Sequence, residues 1–465
     1  MNRRQFVALA LPLASTGLGM PRRRPSVVVQ GPDLVLVLRG ARHFRAGRWQ
    51  TGDIGVDSAG KLRFGNHLPG TTCLSLPGKV IAPGFIDILA DNSTNPAATF
   101  PVFEKYKVTD GVTTALQMHG GSGDCRAYHA TLGAFPHRIH YGVSTFVMAI
   151  RSRFTSLPER LRQVEKNLDQ GALGVSHSLE YQPAPLYELA AYAKLARRYD
   201  RPLFLHLRYS DPERELSGVD EAIALARQSG ARVHIAHLHS TGGTYRMEAA
   251  LEKIRAGIAE GLCLTACVYP YSYWATYLSS RRFDPGWQAR FGLTYADLRV
   301  VGTGECLTAE SFARYRRTSA LVAVPEGTMP LARTFDPALR EEFCMIGSDG
   351  GIQREPRANS HPRGAGCFST AVRHAMDTGM PLERILEKMT VLPRSVVLPA
   401  MAERGVLEEG RAADLTVFDP ATIRGTATVE DPNRFSAGIE LVLVNGRVAY
   451  QGRELGTSNG TAIRY

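Results

Sequence analysis

The clearest structural signal in the sequence lies between Pro202 and His239. PLFLHLR (202–208) and RVHIAHLH (232–239) are short apolar runs that end in polar residues, as buried strands do. Between them, Gly218–Ser229 carries apolar residues at helical spacing. Strand, helix and strand in this order predict a βαβ unit with its two strands parallel.

Six further runs of the same kind extend this pattern on both sides. They are KVIAPGFIDIL, GVTTALQMH, HYGVSTFVM, GALGVSHSL, LCLTACVYPY and FCMIGSD. Eight βα units within about 270 residues predict an α/β protein with a closed (β/α)8 TIM-like barrel, rather than a doubly wound sheet. Catalytic groups of this fold stand at the carboxyl ends of the strands. The polar residues at those ends are His119, Glu180, His206, His237 and Asp349.

The segments outside the predicted barrel have a β-like pattern. Residues 33–79 and 410–455 contain apolar runs punctuated by glycine turns. Because domain termini often lie close together, both chain ends are expected to pair into a small β-sandwich. The predicted divisions are an export signal and linker (1–27), the first sandwich part (28–80), the barrel (81–397) and the second sandwich part (398–465). Residues 272–342 form an insertion, a candidate lid or substrate-binding segment.

The N-terminus predicts export. MNRRQFVALALPLASTGLG pairs Arg3 and Arg4 with an apolar run from Phe6 to Gly19. This run is shorter than the ~20 residues of a spanning helix and is typical of a signal peptide, so no stable membrane span is expected. The paired arginines resemble the twin-arginine signal, which exports folded proteins. The expected location is periplasmic or extracellular.

The composition is that of an ordinary globular protein, with 44% hydrophobic and 21% charged residues. The formal charge is +11, but the body of the chain has no basic run interleaved with aromatic residues, so no nucleic-acid partner is expected. The seven cysteines show neither a disulfide framework nor a zinc-knuckle spacing. The sequence leaves the oligomeric state open.

Several motifs resemble the amidohydrolase superfamily: VIAPGFID, HLR, VHIAHL and IGSDGG, in the first, fifth, sixth and eighth predicted strands. Others resemble its N-acyl-D-amino-acid deacylase (D-aminoacylase) branch, namely DGVTTAL, GALGVSHSLEYQP, VYPYSY, SHPRGAGCF, KMTVLPRSVVL and GVLEEGRAADLTVFDP. They occur in the family's order from about Asp33 onward. The resemblance implies a barrel with a β-sandwich and a metal-dependent hydrolase of N-acyl-D-amino acids or similar carboxylate-bearing amides.

The resemblance also implies roles for individual residues. His206 and His237 match the family's metal-binding histidines, and Asp349 matches the aspartate that acts as general base and acid. Arg363 matches the arginine that grips the substrate carboxylate. Tyr271 belongs to a motif, YPY, that lies beside the substrate in this family.

The chain departs from the family pattern at three places. Leu89 and Asp91 replace the strand-one His-x-His pair. The strand-two cysteine ligand falls at Gly120 or, with a one-residue shift, at His119, and the lysine after the strand-six histidine is His239. In this family the strand-one pair serves the weaker of two metal sites. The resemblance therefore implies one divalent metal ion here, expected to be zinc.

A hydrolytic zinc site needs about three protein ligands and one open position. His206 and His237 are expected to supply two, and His119 is the predicted third. Three other residues compete for that role: Glu180, His177 and Asp91.

The expected partner is a small substrate with a carboxylate, which Arg363 would bind through a bidentate pair. Further candidates for the substrate pocket are Tyr271, His239 and His361. Two other functions stay open. The missing His-x-His pair is compatible with a catalytically degenerate barrel that binds a small molecule, and the same metal chemistry would serve the hydrolysis of cyclic amides or D-dipeptides.

Overall fold

The computed structural model describes residues 33–90, 96–318, 320–351 and 361–465. The predicted export signal and Asp91 lie outside these ranges. Within them, no helix combines the length and the apolar character that crossing a bilayer requires.

The strands of the described part alternate with helices through its middle. The strands are β1 (Leu34–Arg39), β2 (Arg42–Arg45), β3 (Arg48–Thr51), β4 (Asp53–Asp57), β5 (Leu62–Gly65), β6 (Thr72–Ser75), β7 (Val80–Pro83), β8 (Phe85–Asp87), β9 (Val112–Ser122), β10 (His140–Phe146), β11 (Val175–Ser178), β12 (Leu203–His206), β13 (Val233–Ile235), β14 (Leu264–Val268), β15 (Ala275–Tyr277), β16 (Arg299–Val300), β17 (Leu321–Ala323), β18 (Cys344–Ile346), β19 (Leu415–Phe418), β20 (Ile439–Val444), β21 (Arg447–Gln451) and β22 (Glu454–Leu455).

The helices of the same ranges are α1 (Pro96–Val108), α2 (Cys125–Gly133), α3 (Val147–Arg151), α4 (Leu157–Asp169), α5 (Leu186–Arg198), α6 (Glu215–Ser229), α7 (Leu238–Thr241), α8 (Met247–Ala259), α9 (Trp287–Phe291), α10 (Ala309–Thr318), α11 (Phe335–Arg340), α12 (Arg363–Asp377), α13 (Leu382–Met389) and α14 (Val391–Val396). Short 3-10 turns occur at Arg281–Phe283, Tyr295–Asp297, Leu331–Arg333 and Leu398–Met401.

Eight parallel strands form the predicted barrel, in the order β8-β9-β10-β11-β12-β13-β14-β18. The ends of the first and last strands meet where the Asp349 amide donates to the Leu89 carbonyl at 2.8 Å. The interior is filled by apolar side chains that include Leu116, Phe204 and Met345. These observations confirm the (β/α)8 fold, and each of the eight predicted runs overlaps a barrel strand.

The first predicted run, KVIAPGFIDIL, proves to contain two strands of different sheets. β7 pairs with β19 of the sandwich, whereas β8 pairs with β9 of the barrel. The break falls at Gly84, where a Cβ atom would stand 2.1 Å from the Thr113 hydroxyl oxygen. Only glycine permits this close approach at the point where the chain passes from one sheet to the other.

Both chain ends build the β-sandwich, as predicted. A four-stranded sheet has the order β5-β4-β1-β6, and a seven-stranded sheet has the order β22-β21-β20-β19-β7-β2-β3. Their shared core contains Leu38, Ile54 and Val56 from the N-terminal part and Val417 and Leu443 from the C-terminal part. The sandwich therefore requires both ends of the chain.

The residues after β22 leave the sandwich and run to the barrel, which differs from their expected assignment to the sandwich. Ala462 forms a parallel bridge with Tyr141 of β10, and Ile463 joins the apolar core of the barrel. The long insertion between β14 and β18 contains a small sheet of order β15-β17-β16 and helices α9 to α11.

Candidate metal centre

Three histidines converge at the carboxyl end of the barrel. His119 lies near the end of β9, His206 ends β12, and His237 follows β13. One ring nitrogen of each lies within 4.8 Å of those of the other two. The strands are far apart in sequence, but their carboxyl ends share one rim of the barrel. The structure thus brings together the three residues that the sequence suggested as metal ligands.

His237 and Asp349 both adopt left-handed backbone conformations, with φ of 31° and 50°. Neither is glycine, so each conformation costs free energy that surrounding contacts must offset. The His237 amide donates to the Cys267 sulfur at 3.3 Å, and the Asp349 amide donates to the Leu89 carbonyl. Such backbone conformations concentrate at functional sites, and here they occur at one histidine of the cluster and at the aspartate beside it.

Asp349 stands between the cluster and Arg363. Its Oδ1 lies 3.2 Å from His119 Nδ1, and its Oδ2 lies 2.7 Å from Arg363 Nη2. Arg363 Nε also donates to the Asp349 carbonyl at 2.8 Å. Burial alone would raise the pKa of Asp349, but the Arg363 guanidinium and the histidines hold it well below its usual value. Asp349 is therefore an ionised acceptor at neutral pH.

His206 and His237 are neutral and oriented by polar partners. Burial lowers the pKa of His206 to about 4 and that of His237 well below its usual value. His206 Nε2 lies 2.9 Å from Glu180 Oε2, and His237 Nδ1 lies 3.0 Å from the Ser240 hydroxyl. A neutral imidazole is the form that binds metal, and a carboxylate behind it fixes the orientation of the ring.

None of the three other candidates for the third ligand is placed by the structure among the clustered histidine nitrogens. Glu180 lies behind His206, on the side away from His237, because His206 uses its other nitrogen, Nδ1, to approach His237 Nε2 at 3.1 Å. His177 alternates with Ser178, whose hydroxyl reaches His119 Nε2 at 3.3 Å, so His177 faces the helices instead. Asp91 lies outside the described residues.

The strand-one position contributes no ligand atom from Leu89. This side chain is fully buried and packs in the barrel interior with Cys267. Because a leucine has no donor atom, the second metal site of a His-x-His pair lacks that ligand here.

The predicted substrate-binding residues surround Tyr269. The Arg363 guanidinium lies 4.5 Å above the Tyr269 ring, and the His239 ring centroid lies 4.1 Å from it. His361 accepts a hydrogen bond from the Arg363 amide at 3.0 Å. The Tyr271 ring instead packs edge-on against the His361 ring, with their centroids 5.0 Å apart. Of the two tyrosines in the YPY motif, Tyr269 is the one beside Arg363.

Sequence reasoning missed one charged residue of the site, Arg282. It belongs to the insertion, and its guanidinium pairs with Glu180 at 2.9 Å. No periodicity or motif marks this position, because the surrounding segment is irregular.

The fold and the site together define a (β/α)8 barrel with a histidine cluster suited to a metal ion. Residues 105–449 match the Amidohydrolase family, and the chain belongs to this family. This match confirms the superfamily resemblance that the motifs indicated.

Individual relatives place the chain near the D-amino-acid deacylases. It is 28% identical over 482 residues to the N-acyl-D-glutamate deacylase of Alcaligenes xylosoxydans xylosoxydans, covering 92% of this chain and 90% of that protein. It is 25% identical to the N-acyl-D-aspartate deacylase of the same organism, covering 87% and 89%. The N-acyl-D-glutamate deacylase of Bordetella bronchiseptica, solved with zinc and a phosphonate mimic of the tetrahedral intermediate, has a TM-score of 0.77 at 25% identity, covering 93% of this chain and 100% of that one.

Proposed function

We propose that this protein is a metal-dependent amidohydrolase that cleaves the amide bond of N-acyl-D-amino acids. The proposal rests on the cluster of His119, His206 and His237 beside Asp349. The names of the relatives above support the same substrate class. The products would be a carboxylic acid and a free D-amino acid.

The cluster fits one divalent ion, and zinc is the ion we propose. Three imidazoles with mutually close nitrogens are a common ligand set for catalytic zinc, which keeps a fourth position open. When bound, such an ion supplies Lewis-acid chemistry: it polarises an amide carbonyl and makes water acidic enough to ionise near neutral pH. Leu89 cannot bind a second ion, so one ion per chain is proposed.

Asp349 supplies the proton transfers. Its carboxylate is ionised and accepts the proton of the attacking water. It then donates this proton to the nitrogen of the leaving amine as the carbon–nitrogen bond breaks. One residue thus serves as base and acid in sequence, as its contact with His119 at the cluster permits.

Arg363 would orient the substrate through its carboxylate. Its guanidinium lies between Asp349 and the face of Tyr269, so a carboxylate bound there would sit next to the proton-transfer group. A planar guanidinium binds a carboxylate through paired hydrogen bonds, which fix direction as well as position. In this proposed orientation the amine side of the substrate would lie at Asp349 and the acyl side beside the histidine cluster.

Metal titration combined with a substrate panel tests the proposal. The apo protein is expected to bind about one zinc per chain and to hydrolyse N-acetyl-D-amino acids but not the L-enantiomers. His119→Ala should lose both properties. His177→Asn is the matched control, because this histidine lies on β11 of the same barrel but faces the helices. Absence of metal binding after reconstitution would contradict the proposal, and activity confined to hydantoins or D-dipeptides would reassign the substrate.

We also propose that the protein is exported by the twin-arginine route. Arg3 and Arg4 precede an apolar run, and all seven cysteines are free, in keeping with a protein folded before export. Residues 1–27 fused to a reporter should direct it to the periplasm, and changing both arginines to lysine should retain it in the cytoplasm. Export that survives this change would contradict the route.

A further inference from the structure

Arg282 is a buried arginine that the proposed reaction does not use. It lies in the 3-10 turn Arg281–Phe283, near the start of the insertion, and its side chain is only 4% exposed. Its guanidinium carbon stands 4.7 Å from the centre of the Trp274 ring. A permanently charged group in such a place requires strong polar partners.

Those partners are the residues that orient two histidines of the cluster. Arg282 Nε and Nη2 bind Glu180 Oε2 at 3.0 and 2.9 Å, and Nη2 also donates to the Ser240 carbonyl at 3.1 Å. The same Glu180 oxygen contacts His206, and the Ser240 hydroxyl contacts His237. One guanidinium therefore bridges the outer partners of both histidines.

An arginine suits this task because its planar group holds several donors in a fixed arrangement. Glu180 is also held on its other oxygen by the Ser210 hydroxyl, so its carboxylate is constrained on both sides. Outer partners of this kind fix the ring orientation of metal-binding histidines, and their loss costs about 10–100-fold in metal affinity.

We propose that Arg282 is a positioning residue of the metal centre: it holds Glu180 and Ser240 in place and, through them, the rings of His206 and His237. This inference rests on the proposed function in one respect, that the histidine cluster holds a metal ion. It assigns the insertion a structural role at the site, since the turn that carries Arg282 supplies a contact to Glu180 and to Ser240.

The direction in which zinc affinity changes when Arg282 is replaced distinguishes a positioning role from a purely electrostatic effect of its charge. A nearby positive charge opposes binding of a divalent cation, so removing a guanidinium that acted only through its charge would strengthen zinc binding. If Arg282 positions the histidines, Arg282→Met should instead weaken zinc binding by about 10–100-fold. Affinity that is unchanged or increased would overturn the proposal.

Zinc affinity is measured on the apo protein by competition with a chromogenic chelator at neutral pH. Arg281→Met is the matched control: it is the adjacent arginine, is 58% exposed and stands 4.0 Å from its nearest carboxylate, Asp284. It should bind zinc like the wild type. Arg282→Lys keeps the positive charge but loses the planar arrangement of several donors. A loss of zinc affinity in this variant supports the positioning role even if Arg282→Met fails to fold. Wild-type zinc affinity in Arg282→Lys would overturn the proposal.

A double variant tests whether Arg282 acts through Glu180. Glu180→Gln alone should also weaken zinc binding, and the combined variant should lose less than the product of the two single factors. A loss of zinc affinity equal to that product would show that the two residues act independently and would overturn the inference that Arg282 acts through Glu180. The zinc titration needs no substrate, so it gives an answer even if the protein fails to hydrolyse N-acyl-D-amino acids, whereas a wild type that binds no zinc would remove the proposed function itself.

Discussion

Replacing Lys107 by methionine should destabilise the protein strongly. Lys107 lies in α1, and its ammonium group is 2.8 Å from Asp87 in β8, the first barrel strand. The lysine side chain is 1% exposed and the aspartate 0% exposed. The Ser348 hydroxyl completes the group, since it donates to Asp87 and accepts from Lys107 at 2.8 Å. This buried network holds the turn that precedes Asp349.

The magnitude follows from the burial of both charges. Removing the ammonium leaves the Asp87 carboxylate without its counter-charge in a site that water does not reach, which costs about 3–5 kcal/mol. That change corresponds to roughly two to four powers of ten in the unfolding equilibrium constant. The loss of methylene packing is small, because methionine fills a similar volume.

Urea unfolding followed by circular dichroism measures this free energy. Lys105→Met is the control, because Lys105 lies in the same helix and contacts aromatic rings but is only half-buried. The double variant Lys107→Met/Asp87→Asn removes both charges and should recover much of the loss. Unfolding of Lys107→Met at the same urea concentration as Lys105→Met would refute the reasoning.

Two further predictions concern stability. Burial raises the pKa of Asp110 to about 6, so its contribution is fully present below about pH 4 and is lost as the pH rises to about 6. The stability of the wild type relative to Asp110→Asn should therefore fall by about 3 kcal/mol across this pH range. A difference in unfolding free energy between the two proteins that does not change with pH would contradict the raised pKa of Asp110. Ile463→Ala should cost about 2–5 kcal/mol, because the side chain is 4% exposed within the barrel core, whereas Val391→Ala, at a surface position, should unfold like the wild type.

The barrel was predictable because strands of a parallel sheet are buried on both faces and read as short apolar runs. PLFLHLR and RVHIAHLH each contain one barrel strand, β12 and β13. For the same reason, the sequence does not reveal where the chain passes from one sheet to another, since an apolar run continues whether or not the chain stays in one sheet. At the division of KVIAPGFIDIL, Gly84 lies against Thr113 of β9, a contact between residues distant in sequence that no local pattern shows.

The site was predictable only in part, for a related reason. Successive residues of a strand face opposite sides, and both sides of a buried strand are enclosed. The sequence alone could not tell whether His177 or Ser178 faces the barrel interior; the register with His206 places Ser178 there. The sequence likewise could not tell which of Tyr269 and Tyr271 lies beside Arg363; in the structure the Arg363 guanidinium stacks over the Tyr269 ring.

The amino-acid sequence by itself determined the eight apolar runs, the polar residues at their ends and the replacement of the strand-one pair by Leu89 and Asp91. These are local properties, set by residue type and spacing. Only the tertiary structure decided which polar groups meet. His119 and His237 are brought together by closure of the barrel, and Arg282 reaches Glu180 from 102 residues away. Distances of that kind depend on how the whole core packs, and no local pattern contains them.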